Sequence, residues 1–263
     1  MTNFLLILFI LYAVIIISFY FLQHYFFFRP EILPQHFKYE YEFPHEEHHF
    51  EMKDGGKINA VQFKVPNSLG VVYYMKGNSR SIKGWGKFAK DFVGKGYDFF
   101  MMDYRGFGKS RGKRSESIMY SDAQHLYGWL KEQYGEDKIV VMGRSMGSGF
   151  AAKVASDNHP KMLILDSPYY SFTLQMRRFL SWLPLKWILK YKIPTNKYIQ
   201  KCKSPVHILH GTKDFLISYK HGQRLQADSP SNTTLHTIQY GRHNNLPDFK
   251  EYHDILYELL TRG

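Results

Sequence analysis

The sequence predicts an α/β fold: a mainly parallel central sheet with helices on both faces, behind one apolar N-terminal helix. Three observations carry this reading. Short apolar runs alternate with helix-length segments, the pattern of strands buried on both faces. The chain has 263 residues, 44% hydrophobic and 22% charged, which suits one large folded domain plus a short appendage. Residues 4–28, "FLLILFILYAVIIISFYFLQHYFFF", contain no Lys, Arg, Asp or Glu.

The first element is that apolar run. A bilayer core requires ~20 apolar residues as helix, and 4–28 supplies them. Its start, Met-Thr-Asn, is not basic, and its end is bulky and aromatic rather than a small-residue cleavage site, so an uncleaved anchor is expected. Arg29 and Lys38 follow the span and no basic residue precedes it, which puts the main domain in the cytosol by the positive-inside rule. Residues 29–48, with Pro30, Pro34 and Pro44, read as a linker, and 49–263 as the folded domain.

Within the domain, "HFEMKDGGKINAVQFKV" reads as a hairpin turning at Asp54-Gly55-Gly56. "GVVYYM" is a buried strand, followed by a helix near 81–94. "YDFFMMDY" is the next strand, and a long helix over 116–134 ends at Gly135. "KIVVMG", "KMLILD", "VHILHG" and "TLHTIQY" are further strands. "FAAKVASD" and "FKEYHDILYELL" are helices. Residues 170–204 break the alternation. "LQMRRFLSWLPLKWILKYK" is apolar, aromatic and basic together, and reads either as a surface helix pair or as a cap that covers a site and touches lipid.

The single cysteine, Cys202, excludes an internal disulfide framework. A net charge of +12 favours anionic partners, either nucleic acid or an acidic membrane face. The aromatic residues, 17% of the chain, lie mostly in the anchor, the strands and the cap, so membrane and core explain them better than base stacking.

The stretch "IVVMGRSMGSGFAA" fits two turns. Gly143 to Gly147 matches G-x-S-x-G, which holds a nucleophilic serine. Gly147 to Ala152 matches G-x-G-x-x-A, which cradles a dinucleotide pyrophosphate, with Asp166 near the place of a ribose-binding acid. The second normally opens the first strand of its domain, whereas several strands precede this one. The first finds partners downstream: Asp214 in "HGTKD" and His243 in "GRHNN", each after a strand. A serine hydroxyl is a weak nucleophile until a base takes its proton. His243 is suited to that transfer near neutral pH, and an aspartate fixes the imidazole tautomer.

With "GVVYYMKGN", "FFMMDYRGFGKSRG", "GRSMGSG", "HGTKD" and "GRHNN" in order, the chain resembles the membrane-anchored α/β-hydrolases of the serine-aminopeptidase-like and lysophospholipase-like group, near the Bem46-like branch. The resemblance covers roughly residues 45–262. It implies an α/β-hydrolase fold with a short helical cap at 170–204, and the catalytic set Ser145, Asp214 and His243. It also implies an oxyanion hole from the backbone N–H groups of Met146 and Asn78. The family's His-Gly-x turn is Lys76-Gly77-Asn78 here. Lys76 either snorkels to solvent or lends its charge to an anionic substrate. The glycines of "DYRGFGKS" are expected to shape the neighbouring loop.

Other residues have simpler readings. His45-Glu46-Glu47-His48-His49 matches H-E-x-x-H, but Pro44 precedes it and a strand pattern follows, where the metal motif requires a helix. Asp166 is a second candidate acid, read as a turn residue. His210, His221, His236 and His253 read as packing or surface residues. No cofactor and no metal are expected. The expected activity is a membrane-tethered serine hydrolase cleaving an ester or thioester acyl bond, with a lipid bilayer and a small-molecule or lipid acyl substrate as partners and no nucleic acid. A peptidase or aminopeptidase on the same residues is the same-fold alternative. A catalytically silent, membrane-anchored interaction module is the alternative of another class.

Overall fold

The computed structural model describes every residue except Pro230 and Gly263. Among the described residues there is one eight-stranded sheet, formed by β1 (His45–Glu51), β2 (Lys57–Phe63), β3 (Val71–Met75), β4 (Asp98–Met102), β5 (Ile139–Arg144), β6 (Met162–Asp166), β7 (Val206–Gly211) and β8 (Thr233–Ile238). The order is β1-β2-β4-β3-β5-β6-β7-β8. From β4 to β8 neighbouring strands pair in parallel, and the β1–β2 hairpin adds antiparallel at the β4 edge.

The two-residue period of a strand sends alternate side chains to opposite faces. Tyr73, Phe100, Val141 and Leu163 enter one core layer with helices α4 (Glu116–Tyr134) and α5 (Met146–Asp157). Val72, Tyr74, Phe99, Val140 and Ile164 enter the other, against Tyr252 and Leu256 of α10 (Lys250–Arg262). Every residue of β3, β4, β5 and β6 is buried, as their unbroken apolar runs require.

Four regions differ from the sequence expectation. The helix expected near 81–94 is three short pieces: α2 (Ile82–Trp85), a 3₁₀ turn and α3 (Lys90–Val93). Gly84 and Gly86 weaken it, and a Cβ at Gly86 would lie 2.1 Å from the Tyr41 ring. The cap holds three short helices, α6 (Phe172–Arg177), α7 (Leu185–Ile188) and α8 (Thr195–Ile199), rather than a helix pair. Pro184 and Pro194 stand at the starts of the last two. Helix α9 (Lys220–Ala227) has no counterpart in the sequence reading.

The segment read as a linker is a strap. β1 starts at His45, inside it, so the H-E-x-x-H residues are extended and paired with β2. Upstream, Arg29 N–H donates to Asn78 O at 2.9 Å, Arg80 N–H to Arg29 O at 2.9 Å, and Gly108 N–H to Glu31 O at 2.7 Å. These bonds hold the strap across the loops that follow β3 and β4.

Helix α1 (Thr2–Phe27) has 26 residues, a rise of roughly 39 Å, which exceeds a bilayer's ~30 Å hydrocarbon core. Only Phe19, Gln23 and Phe27 are buried, one stripe at four-residue spacing. That stripe docks on the cap. Gln23 Nε2 donates to Ile188 O at 3.0 Å, and its Oε1 accepts Lys190 N–H at 2.8 Å. The rings of Phe27 and Phe172 meet edge to face, 4.9 Å apart.

Candidate active site

Ser145 sits between β5 and α5 with φ 52° and ψ −118°. A side-chain-bearing residue at positive φ costs about 1–3 kcal/mol and persists only where its surroundings force it. Here Ser145 N–H donates to Asp166 O at 2.9 Å, and Ser145 O accepts Ser148 N–H at 3.0 Å. The helix behind it also comes unusually close: a Cβ at Gly147 would lie 2.0 Å from Met75 O. The tight turn aims Oγ away from the sheet.

Oγ meets His243 Nε2 at 3.0 Å, and His243 Nδ1 meets Asp214 Oδ2 at 2.8 Å. Three residues from three loops therefore form one hydrogen-bonded line. The aspartate is held from behind, since its Oδ1 accepts Leu216 N–H at 2.9 Å and Ile217 N–H at 2.8 Å. His210, fully buried, stands 3.5 Å from Oδ2 and bonds Ile217 O at 2.9 Å. Burial pushes Asp214 upward, but the hydrogen bonds from His210 and His243 outweigh it and hold the carboxyl well below the usual carboxylate range.

Asp166, the second candidate acid, is turned elsewhere. It faces Arg144 Nε at 3.6 Å and accepts from Ser167 Oγ at 2.9 Å and Tyr252 OH at 3.3 Å. Arg144 in turn donates to the His243 carbonyl at 3.1 Å. The pair supports the histidine's backbone.

Met146 and Asn78 both line the cavity at Ser145. Among the described residues, neither backbone N–H donates to a backbone acceptor. Met146 opens helix α5, whose N-terminal dipole also favours negative charge there. The Asn78 side chain points back, its Nδ2 donating to Phe27 O at 2.8 Å.

Lys76 corrects the sequence reading on both counts. It neither snorkels nor faces the cavity; it is fully buried. Its Nζ lies 3.5 Å from Asp103 Oδ1, donates to Arg80 O at 3.0 Å and sits 3.8 Å above the Phe107 ring. Burial pushes the ammonium down to about 8 and the Asp103 carboxyl up to about 6, against the attraction between them. Asp103 also receives Ile82 N–H at 3.0 Å, capping α2. The pair braces the loop that carries Asn78.

Two cavities open on Ser145. One, about 100 Å³, is walled by Met146, Tyr169, Phe172, Met176, Phe179 and Ile217, with Asn78 and Gln175 among its polar members. Gln175 is buried, with Nε2 on Leu216 O at 2.7 Å and Oε1 unpartnered. The other, about 280 Å³, is lined by Arg29, Ser79, Trp85, Arg144, His243 and Asn244. Among the described residues no carboxylate lines either cavity. Sequence reasoning missed Arg29, Asp103, Arg144, Gln175 and His210 as site neighbours. Arg144, inside the serine motif, Asp103, inside "DYRGFGKS", and His210, the first residue of "HGTKD", carried a signal.

A model of the family described as serine aminopeptidase, S33 matches residues 66–200. The alpha/beta hydrolase domain-containing protein aho-3 of Caenorhabditis elegans is 27% identical over 188 residues, 69% of this chain and 54% of that protein. Lysophosphatidylserine lipase ABHD12 of Xenopus tropicalis is 29% identical over 191 residues, 65% of this chain and 50% of its own length. The chain thus spans about half the length of these two relatives. Among solved structures, an esterase of Pyrococcus furiosus superposes with a TM-score of 0.68 at 20% identity, covering 89% of this chain and 98% of that one. A monoacylglycerol lipase of Paleococcus ferrophilus gives 0.59 at 18% identity, over 78% and 99%. With a family model matched over half its length and the eight-stranded sheet ordered as above, the chain belongs to the serine aminopeptidase S33 family of α/β-hydrolases.

Proposed function

We propose that this hydrolase is a membrane-tethered serine hydrolase that cleaves an acyl ester or thioester through an acyl-Ser145 intermediate. The observation that carries the reading is the unbroken hydrogen-bonded line from Ser145 through His243 to Asp214, ending in a mainly apolar cavity. In the first half-reaction His243 Nε2 takes the Ser145 proton while Oγ bonds to the acyl carbon. The carbonyl π pair moves onto oxygen, facing the N–H groups of Met146 and Asn78. Collapse expels the leaving group, which receives the proton from His243. Water then repeats the sequence on the acyl-enzyme and releases the acid. Asp214, kept ionised, stabilises the transient imidazolium.

The cavity chemistry favours an ester over an N-terminal peptide. A free α-amine calls for a carboxylate partner, and none of the described residues lining either cavity supplies one. The lipase and esterase names of similar proteins support the same direction. A volume of about 100 Å³ matches roughly three waters, so a long chain would leave the cavity toward Phe179, Trp182 and Trp187, which the cap exposes. Together with α1, these residues support tethering and an amphipathic substrate.

Labelling of the full-length protein with a fluorophosphonate probe tests the reading. Wild type is expected to label at Ser145, and Ser145→Ala to lose labelling together with at least about four orders of magnitude in kcat on a reactive acyl ester. Folded wild-type protein that does not label, or equal labelling of Ser145→Ala, would refute it.

A further inference from the structure

We propose that Arg29 recognises an anionic leaving group, a phosphate-bearing alcohol above all. The inference rests on the acyl-transfer reading of Ser145 and adds a substrate class to it. The two cavities at Ser145 differ in character: an apolar one on the cap side, and a larger one whose lining mixes polar and cationic groups. Ser145, Asn78 and Leu216 border both, so an ester spanning the serine places its acyl part in one and its alcohol part in the other.

Two arginines line the polar cavity, and only one is available to a ligand. Arg144 is buried and committed to Asp166 and to the His243 carbonyl. Arg29 is exposed, and among the described residues its guanidinium has no acidic partner and no hydrogen-bond acceptor. The nearest acid in sequence, Glu31, accepts from Ser81 Oγ at 2.6 Å and lies 3.7 Å from Lys83. Among the described residues no carboxylate lines this cavity to repel an anion. Lys76, the cation that the sequence offered for this task, is consumed by Asp103.

The backbone of Arg29 is not free to wander. It donates to Asn78 O and accepts from Arg80 N–H, both at 2.9 Å, so its Cα is fixed beside the loop that presents the Asn78 N–H. From that fixed backbone a planar guanidinium can meet a phosphate in bidentate geometry. Its place two residues beyond α1 sets it where the head group of a bilayer-resident ester would lie.

The test uses full-length protein in neutral detergent micelles, where the substrate carries the only lipid anion. Two esters with the same acyl chain are compared, a monoacylglycerol and its phosphate-bearing counterpart. The ratio of their kcat/KM values, phosphate-bearing over neutral, is expected to fall about tenfold or more in Arg29→Gln, mainly through KM. Arg29→Lys should restore most of it. In wild type, raising salt from about 50 to about 500 mM should lower the same ratio through screening, a reading independent of any variant. A ratio that moves less than twofold on both measures overturns the proposal. So does an effect of Arg29→Gln confined to binding anionic vesicles, which would make Arg29 a contact for bilayer phosphates. Wild type that hydrolyses neither ester and does not label at Ser145 overturns the acyl-transfer reading itself, and this inference with it.

Discussion

Lys76 stands where the family resemblance implies a histidine, and its fate follows from burial. A lone ammonium inside a protein costs several kcal/mol, so it persists only with a partner, and Asp103 is that partner. Lys76→Met leaves the Asp103 carboxylate buried and unpaired, and should cost about 3–5 kcal/mol in chemical unfolding. Asp103→Asn in the same chain should recover much of that loss, because the amide oxygen still accepts Ile82 N–H without carrying charge. Additive losses in the double variant would show that the two side chains do not act as a pair. The pairing was hidden in the sequence because 27 positions separate the two residues. Each had a plausible local role, snorkelling for one and turn shaping for the other. Ser145, Asp214 and His243 were legible because each lies in a short motif, in the family's order; their approach to 3.0 Å and 2.8 Å is a property of the folded loops.

Among the elements, α1 and the cap depend on each other. Gln23 is an uncharged polar residue in a mainly apolar helix, and its amide closes two backbone groups of the cap, Ile188 C=O and Lys190 N–H. Gln23→Leu keeps the helix apolar but leaves both groups without a partner. At about 1–3 kcal/mol for a buried unsatisfied group, the midpoint of thermal unfolding in detergent should drop by about 4–8 °C, and protease should cut the cap near Lys186 and Lys190 sooner. An unchanged midpoint and cap protection would mean that the helix only abuts the cap. The same helix ends at the candidate oxyanion loop, through Asn78 Nδ2 on Phe27 O. The sequence showed an apolar span, a proline-rich linker and an amphipathic insertion as separate pieces. It held no sign that one glutamine joins the first to the last, or that the linker straps the loops after β3 and β4. Helix breaks at Gly84, Gly86, Pro184 and Pro194 were likewise written in residue types but masked by apolar runs that look continuous.

Taken as a whole, the chain carries histidines whose burial sets an acid limit on stability. His207 and His221 are both pushed down to about 4 from 6.5, chiefly by burial. His221 Nδ1 accepts the Tyr170 N–H at 3.0 Å at the start of the cap, a bond that a proton on that nitrogen would remove. Between pH 6.5 and 4 the unfolded chain therefore binds more protons than the folded one, so stability falls as pH drops through that window. The full shift corresponds to ~2 kcal/mol per histidine between pH 7 and 5; with these half-buried rings partly screened by solvent, about 1 kcal/mol each should be lost, read from urea unfolding at the two pH values. His207→Gln with His221→Gln should flatten that dependence; a slope as steep as wild type would assign the acid sensitivity to other groups. By itself the sequence determined the fold class, since apolar strands alternating with helices permit few arrangements, and it determined the order of the motifs that mark the family. Tertiary structure alone decided where charge resides at the candidate site: Lys76 withdrawn into an ion pair, Arg144 committed to Asp166, and Arg29 left exposed among the residues that line the cavity. The reason is physical. Periodicity and motif spacing are properties of neighbouring residues, whereas the state of a charge depends on which distant groups the fold brings within a few ångströms and how much water it leaves between them.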